Sequence, residues 1–250
     1  MTGPIRLTDQ VAMIASGQIS LSEEHDCNVY LINVVDGLIM IDAGAGIAPE
    51  NIAENVESLG YSPKQISHLL LTHGHADHAG GAAYFKAEYD LVVCAGSLTA
   101  SLTAQGDEKG ISLDLAKAQG IYPSDYQFQP VEASRILRDG ERLRIGGCEV
   151  QVFETPGHSA DSICFVVELA DGPALFCGDT LFTDGTLPLL NTHDSDVGAY
   201  RSSLEKLAAV EAEGLYPGHG LFKIRSGGAV IQQLRERLAS SIYLPPVLKG

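Results

Sequence analysis

Basic side chains are scarce in this chain. Its 250 residues hold 16 Lys and Arg against 32 Asp and Glu, a formal net charge of −16 with histidine neutral. Nucleic-acid binding rests on clustered cations, so no nucleic-acid partner is expected and a nuclease reading loses its footing. Long apolar runs are missing too: no stretch of about eighteen apolar residues occurs, and Met1 to Gln10 has neither a basic start nor an apolar core. Neither a membrane span nor a secretion signal is expected, and the default location is cytoplasmic. No C-x-x-C occurs among Cys27, Cys94, Cys148, Cys164 and Cys177. An odd set of cysteines among apolar or small neighbours reads as buried thiols in a reducing compartment. A Gly-x-Ser-x-Gly nucleophile elbow is absent as well, which removes the commonest serine-hydrolase signal. No composition shift or internal repeat marks a boundary, so one domain over residues 1–250 is expected.

What the chain does have is His73-Gly74-His75-Ala76-Asp77-His78, directly after the apolar Leu69-Leu70-Leu71. Three of its eight histidines and a carboxylate fall within six residues. An apolar run that stops at such a cluster reads as a buried strand delivering a ligand loop to one point, where imidazole nitrogens suit zinc, iron or nickel.

The pattern around this loop alternates short strands with amphipathic helices. Val11 to Ala15, Val29 to Val35 and Leu38 to Ile41 read as strands, the last two joined by the turn Asp36-Gly37. Pro49 opens a helix with Ile52, Val56 and Leu59 on one face. His68 to Thr72 is expected as a strand, Ala79 to Ala87 as a helix in which Gly80-Gly81 permits a close backbone approach, and Leu91 to Ala95 as another strand. Residues 97–130, interrupted by Gly106, Gly110 and Gly120, read as a helical excursion outside the core, forming a wall or lid over the site. Arg135 to Leu137, Arg142 to Ile145, Glu149 to Glu154, Ile163 to Leu169 and Ala174 to Cys177 read as a second set of strands. Two further helices follow, one capped by Asp196 and ended at Gly214, the other carrying Val230, Leu234, Leu238 and Ile242 and stopped by Pro245-Pro246.

Three later positions share the character of the histidine cluster: Thr155-Pro156-Gly157-His158, Cys177-Gly178-Asp179-Thr180 and Tyr216-Pro217-Gly218-His219. Proline ends a strand, glycine allows the turn, and the ligand then sits just past the sheet edge. Seven candidate metal ligands result: His73, His75, Asp77, His78, His158, Asp179 and His219. Alone, His158 or His219 would be an ordinary loop histidine and Asp179 a local cap. His68 reads as structural, and His25 and His193 as surface loop residues.

With these motifs the chain resembles the metallo-β-lactamase fold superfamily, whose H-x-H-x-D-H signature His73 to His78 match in full. The resemblance implies an α/β protein, a four-layer αβ/βα sandwich of two mixed β-sheets with helices on the outer faces. It also implies two divalent metal ions, zinc first and iron or manganese as alternatives. His73, His75 and His158 would hold the first, Asp77, His78 and His219 the second, and Asp179 would bridge them, with Asp42 helping to orient a ligand. Asp77 and Asp179 would serve catalysis, and a metal-bridging hydroxide would cleave a small ester, thioester or lactone.

Departures narrow the subtype. His75 stands where diiron oxidoreductases of this fold carry glutamate, and Asp179 stands where zinc β-lactamases generally use another residue or none. Gly178-Asp179-Thr180-Leu181-Phe182 looks like glyoxalase II, yet only thirty-one residues, Gly220 to Gly250, follow His219. That is too short for the helical domain with which that enzyme grips glutathione. Phe182 replaces the tyrosine that acyl-homoserine lactonases place there. A rival reading is a persulfide dioxygenase with one iron on His73, His158 and Asp179; a third is a metal-stabilised scaffold without activity. The expected partner is a small-molecule substrate, and a homo-oligomer is left open.

Overall fold

A computed structural model describes residues 3–240. Among them the first sheet contains β1 (Ile5–Arg6), β2 (Val11–Ala15), β3 (Val29–Val34), β4 (Gly37–Ile41), β5 (Ile66–Leu70), β6 (Val92–Gly96) and β7 (Arg135–Leu137), in that spatial order. Strands β1 to β4 pair antiparallel and β4 to β7 parallel. The second sheet contains β8 (Arg142–Ile145), β9 (Cys148–Glu154), β10 (Ile163–Leu169), β11 (Gly172–Gly178) and β12 (Gly214–Pro217). Its order is β12-β11-β10-β9-β8, antiparallel except between β11 and β12. Both sheets are therefore mixed.

Alternation along the strands sorts side chains into layers. In β3, Tyr30 and Ile32 face the second sheet, where they join Val150, Val152, Phe165, Val167, Phe176 and Tyr216 in one buried cluster. Their neighbours Val29 and Leu31 face the other way, onto Ile52 and Val56 of α1 (Pro49–Ser58) and Phe85 of α3 (Ala82–Tyr89). On the far side, Cys164, Val166, Leu175 and Cys177 pack against α6 (Val197–Leu207) and α7 (Gly227–Ser240) through Tyr200, Leu204, Leu207, Val230, Ile231 and Leu234. Each fully buried Val, Leu, Ile or Phe among them contributes about 1.5–3 kcal/mol. The four-layer sandwich expected from the resemblance is the one observed. No helix among the described residues is long and apolar enough to cross a membrane.

Several local expectations need correction. Strand β7 belongs to the first sheet, parallel to β6 with Cys94 opposite Arg135, and not to the second. Parallel neighbours need a crossover of a dozen residues or more, and the excursion after Gly96 is that crossover. It is also part of the core: Ile111, Leu113, Tyr122, Phe128 and Val131 are buried with the α1 side of the sheet. Its helices α4 (Ser97–Gln105) and α5 (Leu113–Ala118) are short. Gly106, at φ +61°, caps α4, and Gly120, at φ +74°, lies just beyond α5.

The helix expected over Ala79 to Ala87 is two helices, α2 (Ala76–Ala79) and α3, parted at Gly80-Gly81. A Cβ at either glycine would overlap the carbonyl oxygen of Ala45 or Ala43, the close approach anticipated there. Strand β5 starts and ends two residues earlier than expected; Leu71 N–H still bonds the Cys94 carbonyl of β6, and Thr72 N–H turns to the Asp42 carboxylate. Helix α6 stops at Leu207, and Gly214 opens β12 instead of ending a helix. The expected stop at Ile242 and Pro245-Pro246 lies outside the described residues.

Candidate metal centre

Strands β4 and β5 run parallel, so the segments after Ile41 and Leu70 emerge at the same sheet edge. In the second sheet β9 and β11 are both antiparallel to β10, and β12 is parallel to β11, so the carboxyl ends of all three lie together. These five exits carry Asp42, His73 to His78, His158, Asp179 and His219. The topology brings all seven candidate ligands to one place.

They form two groups. The rings of His73, His75 and His158 lie 4.6 to 5.1 Å apart, and His158 Nε2 is 3.1 Å from His75 Nδ1. In the second group Asp77 Oδ2 lies 2.9 Å from His219 Nε2 and 3.3 Å from His78 Nε2. Asp179 stands between the groups, with Oδ2 3.6 Å from His158 Nε2 and 3.5 Å from His219 Nε2, and Oδ1 3.4 Å from His78 Nε2. Gly218 makes room for this crowding, since a Cβ there would overlap Asp179 Oδ1 and His78 Cε1.

The outward partners of the imidazoles assign their tautomers. His158 Nδ1 lies 2.6 Å from the Pro188 carbonyl, which only accepts, so Nδ1 carries the proton and Nε2 a lone pair. His78 Nδ1 donates to Asp42 Oδ2 at 2.8 Å, and His75 Nε2 donates to Asp194 Oδ2 at 2.9 Å. Thr72 donates its hydroxyl to Asp42 Oδ2 and thus accepts from His73 Nδ1 at 3.0 Å. Each of the four rings turns its other nitrogen inward. Although burial opposes the charge, Asp194 raises His75, and Asp77, Asp179 and Asp42 raise His78 well above its ordinary range, so a cation would take the place of protons on these two rings. Burial and the neighbouring imidazoles hold His73 well below its ordinary range, and burial lowers His158. Burial opposes the charge of Asp179, yet His219 and His78 hold its carboxyl well below the usual range.

Three of these inward atoms, His73 Nε2, His78 Nε2 and Asp179 Oδ1, are buried without a hydrogen-bond partner. Orphaned buried polar atoms cost about 1–3 kcal/mol each, and like-facing groups crowded together repel. A cation satisfies both at once. The donor set, nitrogen and carboxylate oxygen in two groups of three around a shared carboxylate, therefore fits divalent metal ions.

Residues 23–219 match the Metallo-beta-lactamase superfamily. The chain belongs to that superfamily. Among curated relatives, the lactamase-like protein vrtG of Penicillium aethiopicum is 27% identical over 96% of this chain and 69% of its own length. The atrochrysone carboxyl ACP thioesterase AgnL7 of Paecilomyces divaricatus is 29% identical over 84% of this chain and 55% of its own length. The chain thus spans little more than half of that relative. Among solved structures, a metallo-beta-lactamase of Cronobacter sakazakii with a HARLDQ motif superposes with a TM-score of 0.74 at 23% identity, over 95% of this chain and 96% of that one. This likeness is one of fold. Membership in the metallo-beta-lactamase superfamily implies binding of divalent metal, for which the histidine cluster is built.

The remaining histidines lie apart from the cluster. His68 bonds to Ser67 Oγ and is half-buried, and His193 is exposed beside Asp114. His25 is more engaged than a surface residue: it bonds Glu23 and the Ile121 carbonyl and packs on Tyr122, tying an early loop to the crossover. Four of the five cysteines are buried, all are free, and burial pushes the Cys94 and Cys164 thiols up to about 11. They offer no nucleophile at neutral pH. Asp194, Thr72 and the Pro188 carbonyl were missed from sequence; a backbone acceptor has no sequence signal, and Asp194 lies in a polar run read only for its cap, Asp196.

Proposed function

We propose that the chain is a binuclear metal-dependent hydrolase of a small thioester, with esters and lactones as further substrates. The observation that carries this reading is the paired set of inward-facing imidazole nitrogens around Asp179. His73, His75 and His158 would hold one ion, Asp77, His78 and His219 the other, with Asp179 shared. Zinc suits the nitrogen-rich set best; iron and manganese are the alternatives.

Two such ions would lower the pKa of a shared water toward about 7 and polarise the scissile carbonyl. The chain's own part is to orient and to exclude. Asp77, a quarter exposed where Asp179 is buried, is the carboxylate at the mouth of the site, placed to guide a proton. Phe182 sets its ring edge-on 6.3 Å from that of His219 and gives the second group an apolar wall without a phenol. A leaving thiolate needs less protonation than an alkoxide, so the absence of that phenol favours thioesters over lactones. Relatives named as thioesterases support the same choice, as does the glyoxalase II-like run from Gly178 to Phe182.

The one-iron dioxygenase reading uses His73, His158 and Asp179 and leaves the arrangement of His75, Asp77, His78 and His219 without a task. The test is metal analysis of purified protein joined to a panel of thioesters, esters and lactones. Two ions per chain with thioester cleavage supports the proposal. One iron per chain, with oxygen uptake on a persulfide, contradicts it.

A further inference from the structure

His75 departs from the other histidines of its group: it turns Nδ1, not Nε2, toward the centre. The cause lies on its outer side. Asp194, in the segment between β11 and α6, takes Nε2 at 2.9 Å through Oδ2 and accepts the Ser112 hydroxyl at 2.7 Å through Oδ1. Ser112 belongs to the crossover between β6 and β7; it is buried and adopts φ +56°, a conformation serine rarely takes. Its Oγ also accepts the His193 backbone N–H at 3.2 Å, so one hydroxyl joins the crossover to two consecutive residues of the segment.

The same segment serves the second imidazole of the group. Pro188 takes the outer nitrogen of His158, and farther along Ser195 Oγ and Asp196 N both bond the Gly157 carbonyl next to His158. One irregular segment thus holds the outer faces of two rings, and a latch in the crossover fixes that segment in place.

We propose that Asp194 is a positioning residue that locks His75 in its Nε2–H tautomer, with Nδ1 presented to the first ion, and that Ser112 latches Asp194 in place. This couples the crossover to metal affinity and rests on the ligand assignment proposed above. Outer partners of this kind typically govern about 10- to 100-fold in metal affinity.

The experiment has two arms. In the first, nitrogen-15 spectra of the zinc-free protein, recorded above the imidazole titration range, report the His75 tautomer. Wild type is expected to show Nε2–H, Asp194→Asn to retain it because its amide oxygen still accepts, and Asp194→Ala to lose it. In the second arm, zinc is titrated against a chelator. Asp194→Ala is expected to weaken one binding event about 10- to 100-fold and leave the other unchanged, with Asp194→Asn and Ser112→Ala losing less. A wild-type His75 protonated on Nδ1, or a tautomer unchanged in Asp194→Ala, overturns the assignment whatever zinc does. Equal weakening of both events together with a lowered melting temperature also overturns it, as the mark of a purely structural role. The expected tautomers in a protein that binds no zinc sustain the positioning role and overturn the proposed function instead.

Discussion

Asp42 Oδ2 lies 2.8 Å from Nδ1 of His78, and both residues are buried. The same carboxylate accepts the Thr72 backbone N–H through Oδ1 and the Thr72 hydroxyl through Oδ2, each at 2.8 Å. Since Thr72 in turn faces His73, one aspartate orients two imidazoles, one in each ligand group. Its own φ of +60° is among the few left-handed values outside glycine, and aspartate and asparagine tolerate that region better than other residues.

Replacing Asp42 with alanine strands the Thr72 N–H and His78 Nδ1 in a dry interior. The expected cost is about 1–3 kcal/mol for each unpaired group, seen as a lowered melting temperature, with metal affinity down by about 10- to 100-fold. Asp42→Asn, which keeps an acceptor and suits the backbone, should lose markedly less of both. Thermal unfolding and metal titration of the two variants check this.

Gly218 tests the crowding at Asp179. Gly218→Ala pushes a methyl group into Asp179 Oδ1 and His78 Cε1 at the junction of the two groups. Metal affinity and hydrolysis should each fall at least about tenfold, while the far-ultraviolet circular dichroism spectrum stays that of the wild type.

The crossover of residues 97–130 was expected from sequence to lie outside the core. Its buried Ile111 and Phe128 contradict that. Phe128→Ala should cost about 3–5 kcal/mol and Ile111→Ala about 2–5 kcal/mol in urea unfolding. Deleting the segment should yield no folded protein.

Asp26 supplies a pH signature. Its buried carboxyl is pushed up to about 6 by desolvation, and Oδ1 accepts the Ala45 N–H. With the folded value above the unfolded one, the folded state binds more protons between about pH 4 and 6. Stability from this group is therefore present at low pH and lost as pH rises through that window, by up to about 3 kcal/mol. Asp26→Asn stays neutral and keeps the acceptor, so its stability relative to wild type should grow across the window and level off above it. Urea unfolding of both proteins below, within and above the window checks the sign.

The convergence of the candidate ligands was legible because their signals are local: an apolar strand running out just before His73, and prolines and glycines placing His158 and His219 just past a strand. The layering was legible from alternation, as at Tyr30 and Ile32 against Val29 and Leu31. The partner of β7 was not, because three residues carry a face but no address. The glycines that break the crossover into short helices also hid the spacing by which Ile111, Leu113 and Phe128 reach the core. Asp194 was out of reach for a similar reason. Its contact with His75 spans 119 residues and starts from a segment with no periodicity to read.

The most direct test of the central claim is the metal content of purified protein and of Asp179→Ala, measured alongside thioester hydrolysis. The account predicts two divalent ions per wild-type chain with hydrolysis, and loss of both full occupancy and hydrolysis in the variant. Hydrolysis undiminished in Asp179→Ala, or a wild type active with no bound metal, would contradict it.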